Sequence, residues 1–124
     1  MKKMMIVAAG GASGTLFRYW LQVISFHLLG PSFPFGTFLV NSIGCFLAGF
    51  LGAMIRPEIL YHPYFKLFIF VGFLGGFTTY SGFAFETWTL AKDQEFLKAG
   101  LNLCLHIFGC FAALVGGIWV SRLI

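Results

Sequence analysis

Gly72-Phe73-Leu74-Gly75-Gly76-Phe77-Thr78-Thr79-Tyr80-Ser81-Gly82-Phe83 falls in the middle of an apolar stretch with no Asp, Glu, Lys or Arg between Lys66 and Glu86. A lipid-facing helix should be rich in Leu and Ile at that depth. Adjacent glycines followed by β-branched threonines weaken a helix instead. Backbone freed from its i→i−4 partners inside a membrane must bond elsewhere, so a break is expected only where it is buried in protein or lines a cavity. A continuous helix whose threonines bond back to their own carbonyls fits the same residues. Composition leaves the two readings level. In a break, freed carbonyls suit a cation, while hydroxyls and aromatic ring edges suit an anion.

The rest of the chain sets this stretch in a bilayer. Of 124 residues, 59% are hydrophobic, 19% aromatic and only 10% charged, too few charges to cover the surface of a soluble domain. Charges are also missing between Arg18 and Arg56 and between Lys98 and Arg122. A spanning helix needs about 20 apolar residues. Four spans follow, at about 4–26, 35–55, 64–90 and 96–120, and together they make one all-α membrane domain. Gly30-Pro31 to Pro34 turns the first into the second, Arg56-Pro57-Glu58 closes the second, and Ile59 to Pro63 is a short interfacial loop with Tyr61 and His62. Lys92-Asp93-Gln94-Glu95 joins the last two. The basic start Met1-Lys2-Lys3 imitates a signal peptide, but apolar character runs on through Trp20 and Leu21, so it reads as the first span.

The net charge of +4 is scattered over span ends, without the basic-aromatic clusters that nucleic acid binding needs. Lys2, Lys3, Arg56, Lys66 and Arg122 on one side, against Lys92, Lys98 and Arg18 on the other, modestly favour a cytoplasmic N-terminus. Cys45, Cys104 and Cys110 lie in apolar stretches and read as free, packed thiols.

Gly10 with Gly14, Gly72 with Gly76, and Gly44 with Ala48 make small-xxx-small faces for close helix contact. Four short helices packed so closely are not expected to enclose a pathway alone, which points to self-association. Thr37, Asn41 and Cys45 share one face of the second span; Asn102, His106 and Cys110 repeat the spacing on the fourth. An amide in hydrocarbon needs a partner or water, so Asn41 serves either as interhelical glue or on a wet path. His106 and Cys110 are two potential ligands with no third, and His106 reads as a packed or path-lining residue. Glu86 is the only acid within the spans. Arg18 stands about 21 Å along an ideal helix from Met4. It either snorkels to the far interface or sits in a wet vestibule and concentrates anions.

Gly11-Ala12-Ser13-Gly14 followed by Arg18-Tyr19, then Gly36-Thr37-Phe38-Leu39-Val40-Asn41-Ser42-Ile43-Gly44, then Gly72 to Phe83, resemble the ordered signatures of Fluc-type (CrcB) fluoride channels, over nearly the whole chain. The resemblance implies a dual-topology, antiparallel homodimer with two narrow pores, in the bacterial inner membrane, passively exporting fluoride and giving fluoride resistance. It implies that the third helices break and cross at the centre, around a structural Na⁺ held by carbonyls matching Gly75 and Thr78. Asn41 matches the pore asparagine and Thr37 its polar neighbour. Tyr80 and Phe83 match two phenylalanines whose ring edges face fluoride; Thr79 and Ser81 bring hydroxyls to the same stretch. Glu86, His106 and Cys110 fall on a further polar track, and Arg18 at the vestibule.

The physics agrees, because a small, strongly hydrated anion needs donors to replace water, and amides, hydroxyls and positive ring edges supply them. A bound cation would add fixed positive charge. This sequence departs from the family at Tyr80, usually Phe, and at Gly82, usually a small hydroxylated residue. Together with the charge bias, those departures raise a heterodimer as the alternative. A small multidrug transporter would need a membrane-embedded carboxylate, and the first span has no acid. A non-conducting assembly subunit would need only the glycine faces. An enzyme lacks support, since no nucleophile–base pair, metal cluster or phosphate loop is present.

Overall fold

A computed structural model describes residues 1–55, 57–60 and 62–124. The expectations resting on Arg56 (a charge closing the second span) and on Tyr61 (an interfacial loop residue) lie outside the described residues. Helix α1 spans Lys2–Leu29, α2 Phe35–Met54, α3 Pro63–Lys92 and α4 Phe96–Ser121. A single helical turn, Pro57–Leu60, lies between α2 and α3. No strand occurs among the described residues.

Helices α2, α3 and α4 are long and apolar enough to cross a membrane. Helix α1 has the length, at 28 residues, but Thr15, Arg18, Gln22 and Ser25 dilute its apolarity. The chain buries polar side chains beside apolar ones and turns large apolar side chains outward. Thr37, Asn41, Asn102, His106 and Ser25 are buried, whereas Trp88, Phe108, Phe111 and Trp119 are 63–70% exposed. Water would penalise that distribution, and a bilayer favours it, because hydrocarbon solvates the aromatic surface and the buried polar groups pair within the protein. This is a membrane protein.

Two glycine-lined crossings set the packing. Helix α1 lies on the first part of α3, and α2 lies on the last part of α4. A side chain at Gly10 would meet the Gly72 Cα at 3.1 Å and the Phe73 nitrogen at 3.0 Å, and one at Gly76 would meet the Gly11 Cα at 3.0 Å. The Gly10/Gly14 and Gly72/Gly76 faces therefore pack on each other within one chain. At the second crossing, a Cβ at Gly49 would overlap the Leu114 carbonyl, and one at Gly117 the Phe46 carbonyl. Backbones this close gain dispersion contacts that larger side chains would forbid.

Helix α3 is irregular where its composition weakens it. Widened i→i+5 turns run over Leu67–Leu74, and Gly75–Phe77 returns to α-helix. Thr78 (φ −81°, ψ 157°) and Thr79 (φ −147°, ψ 110°) are extended, and helix resumes over Tyr80–Lys92. The interruption thus follows the paired glycines. Helix α4 widens in the same way over Leu105–Gly109, the turn that carries His106.

Candidate functional site

Two extended residues inside a helix leave backbone groups without their usual partners, and these groups are distributed among three helices. The Thr78 N–H still reaches the Leu74 carbonyl at 2.9 Å and closes the first segment. Thr79 opens the next as an N-cap, its Oγ1 accepting from the Gly82 N–H at 3.0 Å. The Thr79 N–H would have donated to Gly75 in a continuous helix. It donates instead to Asn41 Oδ1 at 2.8 Å, while Asn41 Nδ2 donates to the Thr79 carbonyl at 3.0 Å. Asn41, on α2, therefore bonds both the N–H and the carbonyl of Thr79.

Helix α1 satisfies the carbonyls on the other side. Thr15 Oγ1 donates to Gly76 at 3.4 Å, and Arg18 Nη1 donates to Thr78 at 3.2 Å. Arg18 neither snorkels outward nor stands free; it points inward onto the break. The Gly75 carbonyl has lost its helical donor to Asn41. Oxygen-only donors of this kind fit a hard cation such as Na⁺. One chain offers only part of a coordination shell, and the Thr78 oxygen already holds a guanidinium.

Below the break, Phe83 is 6% exposed and Tyr80 is 81% exposed. Their rings meet edge to face at 5.5 Å, and Phe83 stacks on the His106 imidazole at 4.2 Å. Within one chain the two aromatic residues thus occupy different environments, one enclosed and one on the outer surface. Ser81, also on the surface, pairs with the Thr79 hydroxyl at 3.3 Å.

A second polar group joins α3 and α4. Asn102, fully buried, donates through Nδ2 to Thr87 Oγ1 at 2.8 Å, and Thr87 donates to the Phe83 carbonyl at 2.8 Å. His106 Nδ1 lies 3.0 Å from the Asn102 carbonyl. That carbonyl can only accept, so Nδ1 carries the hydrogen. Among the described residues, three solvent-excluded side-chain atoms have no hydrogen-bond partner: Glu86 Oε2, Asn102 Oδ1 and His106 Nε2. In a neutral imidazole the last is an acceptor, so all three await donors. Buried acceptors without donors are costly unless water or a ligand reaches them.

The third group lies at the end of α3. Thr37 Oγ1 donates to Glu86 Oε1 at 2.6 Å, and Gln22 Nε2 donates to Thr37 Oγ1 at 3.2 Å. This chain borders a cavity of about 480 Å³ lined by Gln22, Ser25, Thr37, Phe85, Glu86 and Thr89, among others.

The structure therefore brings Asn41 to Thr79, Arg18 to Thr78, Thr37 to Glu86 and Phe83 to His106. It leaves Tyr80 and Ser81 facing outward. Cys110 is buried, with its sulfur 3.7 Å from the Ser42 hydroxyl. Sequence reasoning missed Gln22, Thr15, Ser25 and Thr87. The first three, with Arg18, recur at positions 15, 18, 22 and 25. That is one face of an α-helix, and the period was the signal that could have found them.

The model of the family described as "CrcB-like protein, Camphor Resistance (CrcB)" matches residues 5–118. A protein of Maridesulfovibrio salexigens named "Fluoride-specific ion channel FluC" is 38% identical over 124 residues, covering 100% of this chain and 98% of its own length. Relatives of the same name come from Solidesulfovibrio magneticus, 39% identical with 100% and 99% covered, and from Chlorobium luteolum, 44% identical with 95% and 91% covered. With the signatures on α1, α2 and α3 and a family match over almost its whole length, the chain belongs to the CrcB family.

Proposed function

We propose that this chain is a subunit of a fluoride-selective channel, which exports fluoride passively across the bacterial inner membrane and so gives fluoride resistance. The observation that carries the reading is the name shared by relatives 38–44% identical along nearly the whole chain, each a fluoride-specific channel. The polar interior supports it. Donors and ring edges from α2, α3 and α4 converge on the break and on Phe83, and the three buried acceptors call for water beside them.

In this reading α1 is the first of four spans, and two copies insert in opposite orientations as a homodimer. The modest charge bias leaves the dominant orientation open. A second copy would cover Tyr80 and enclose a path that one chain leaves open. The Gly75 and Thr78 carbonyls, paired with those of the second copy, would hold a structural Na⁺. That ion would supply fixed positive charge at the centre. Arg18 would add to it.

Fluoride gives up tightly held water on entering such a path. The Asn41 amide has one N–H beyond the one spent on Thr79, and it can donate to the anion. The Ser81 hydroxyl can turn from Thr79 to donate as well. The Phe83 ring is stacked on His106 and held in place, so its positive edge is preorganised and does not have to be turned toward the ion. Tyr80, exposed beside Phe83, contributes its own ring edge where a second copy would cover it. Thr37 and Glu86 line the mouth.

The deciding experiment is ion efflux from liposomes holding this chain alone, read with fluoride and chloride electrodes. Rapid fluoride release with little chloride release is expected. No fluoride release from a folded, dimeric preparation would sink the self-sufficient channel.

A further inference from the structure

We propose that Gln22 is a positioning residue of the anion path: through Thr37 it holds the Glu86 carboxylate against α2 and so sets the charge at the mouth. The proposal rests on the channel reading. The Thr37 hydroxyl has one proton, and it goes to Glu86 Oε1 at 2.6 Å. The Thr37 oxygen accepts the Gln22 amide hydrogen at 3.2 Å. Donation into a hydroxyl polarises its O–H and strengthens the bond it makes in turn. Three helices are thereby linked in one chain that ends on the only acid within the apolar spans.

The other carboxylate oxygen, Oε2, has no partner and no solvent contact. Among the described residues, the Thr37 bond is the one hydrogen bond that holds this carboxyl group in place. If that bond loosens, the side chain can turn into the cavity of about 480 Å³ that it borders. A carboxylate there would repel an arriving anion and compete with it for donors. Gln22 is the single α1 residue bonded to this group, and its own side chain lines the same cavity. It faces inward because it follows Arg18 by four residues on the polar face of α1.

The test uses the full chain in liposomes and substitutes Gln22→Met, which keeps length and volume but removes the donor. Fluoride efflux should fall about tenfold, the lower end of the range for a charge acting at a pathway mouth. The loss should shrink as ionic strength rises. It should also largely vanish in a Glu86→Gln background, where no charge can turn inward. Thr37→Val removes the middle of the chain, and Gln22→Met should add nothing to it. An equal fractional loss in all three backgrounds, indifferent to salt, overturns the proposal and leaves the channel reading standing. A wild-type chain that moves no fluoride sinks both.

Discussion

Asn41 and the backbone of Thr79 exchange two hydrogen bonds, at 3.0 and 2.8 Å, so a single side chain on α2 supplies what the interrupted helix α3 lacks. Asn is suited to this, having a donor and an acceptor on one planar group. Asn41→Asp keeps the acceptor but sets a carboxylate oxygen against the Thr79 carbonyl. Leaving buried groups unmatched costs about 1–3 kcal/mol. Fluoride flux should be abolished while the proposed dimer survives. Liposome efflux, with size-exclusion chromatography alongside, checks this; normal flux would remove Asn41 from the path.

Phe83→Ile should cut fluoride flux by removing both the ring edge and the stack on His106 at 4.2 Å. Tyr80→Phe, on the exposed partner ring, should leave an active channel, because the ring edge is retained. If Phe83→Ile conducts at the wild-type rate, the aromatic station plays no part in transport.

The crossing of α1 and α3 gives a paired prediction. A Cβ at Gly14 would overlap the Phe73 carbonyl oxygen and lie 2.9 Å from the Phe77 nitrogen, whereas one at Gly11 would meet its nearest neighbour at 3.9 Å. Gly14→Ala should cost about 1–3 kcal/mol from overpacking against rigid backbone. Gly11→Ala should be neutral or slightly stabilising, since Ala exceeds Gly in helix propensity by about 1 kcal/mol. The fraction of protein still monodisperse after graded heating in detergent separates the two. Equal tolerance would place the helices further apart.

For the proposed Na⁺-bound homodimer, replacing Na⁺ by N-methylglucamine should lower thermal stability, and returning Na⁺ should restore it, because a ligand bound only to the folded assembly stabilises it by mass action. The readout is dimer dissociation during heating, independent of transport. A melting curve indifferent to Na⁺ would leave the Gly75 and Thr78 carbonyls to Arg18 and the protein alone.

The helices themselves were legible. Charge-free runs bounded by Pro31, Pro34 and Pro57, and by Lys92 to Glu95, placed the ends of α2 and α4 within a residue or two of Phe35–Met54 and Phe96–Ser121. Bilayer thickness imposes length and apolarity on a spanning helix, and both are local properties of sequence. The paired glycine faces were legible for a similar reason. A missing side chain every fourth residue marks a site of close approach, although the sequence did not say which helix approaches.

The site was only partly legible. Asn41, Thr37, Glu86 and His106 stood out as polar residues in hydrocarbon. Gln22, Thr15 and Ser25 did not, because α1 is less apolar and its polar face looks like ordinary dilution until helices α2 and α3 are seen against it. The inward turn of Arg18 onto Thr78 was likewise hidden. Helical rise gave its depth, but its direction depends on a carbonyl 60 residues away in sequence being free to accept.

By itself the sequence determined that the chain is a helical membrane protein of the CrcB type, where its helices lie, and that the region from Gly72 to Phe83 is weak as a helix. It could not choose between a break and a continuous helix, since glycine and threonine propensities differ by too little to outweigh packing. That choice was decided by the tertiary structure. A break becomes stable only when other helices supply donors and acceptors at matching positions, and here Asn41, Arg18 and Thr15 do so from α2 and α1. The separation of Phe83 inside from Tyr80 outside was decided in the same way. They stand only three positions apart, and it is the position of α4, carrying His106, that buries one ring and leaves the other for a neighbour.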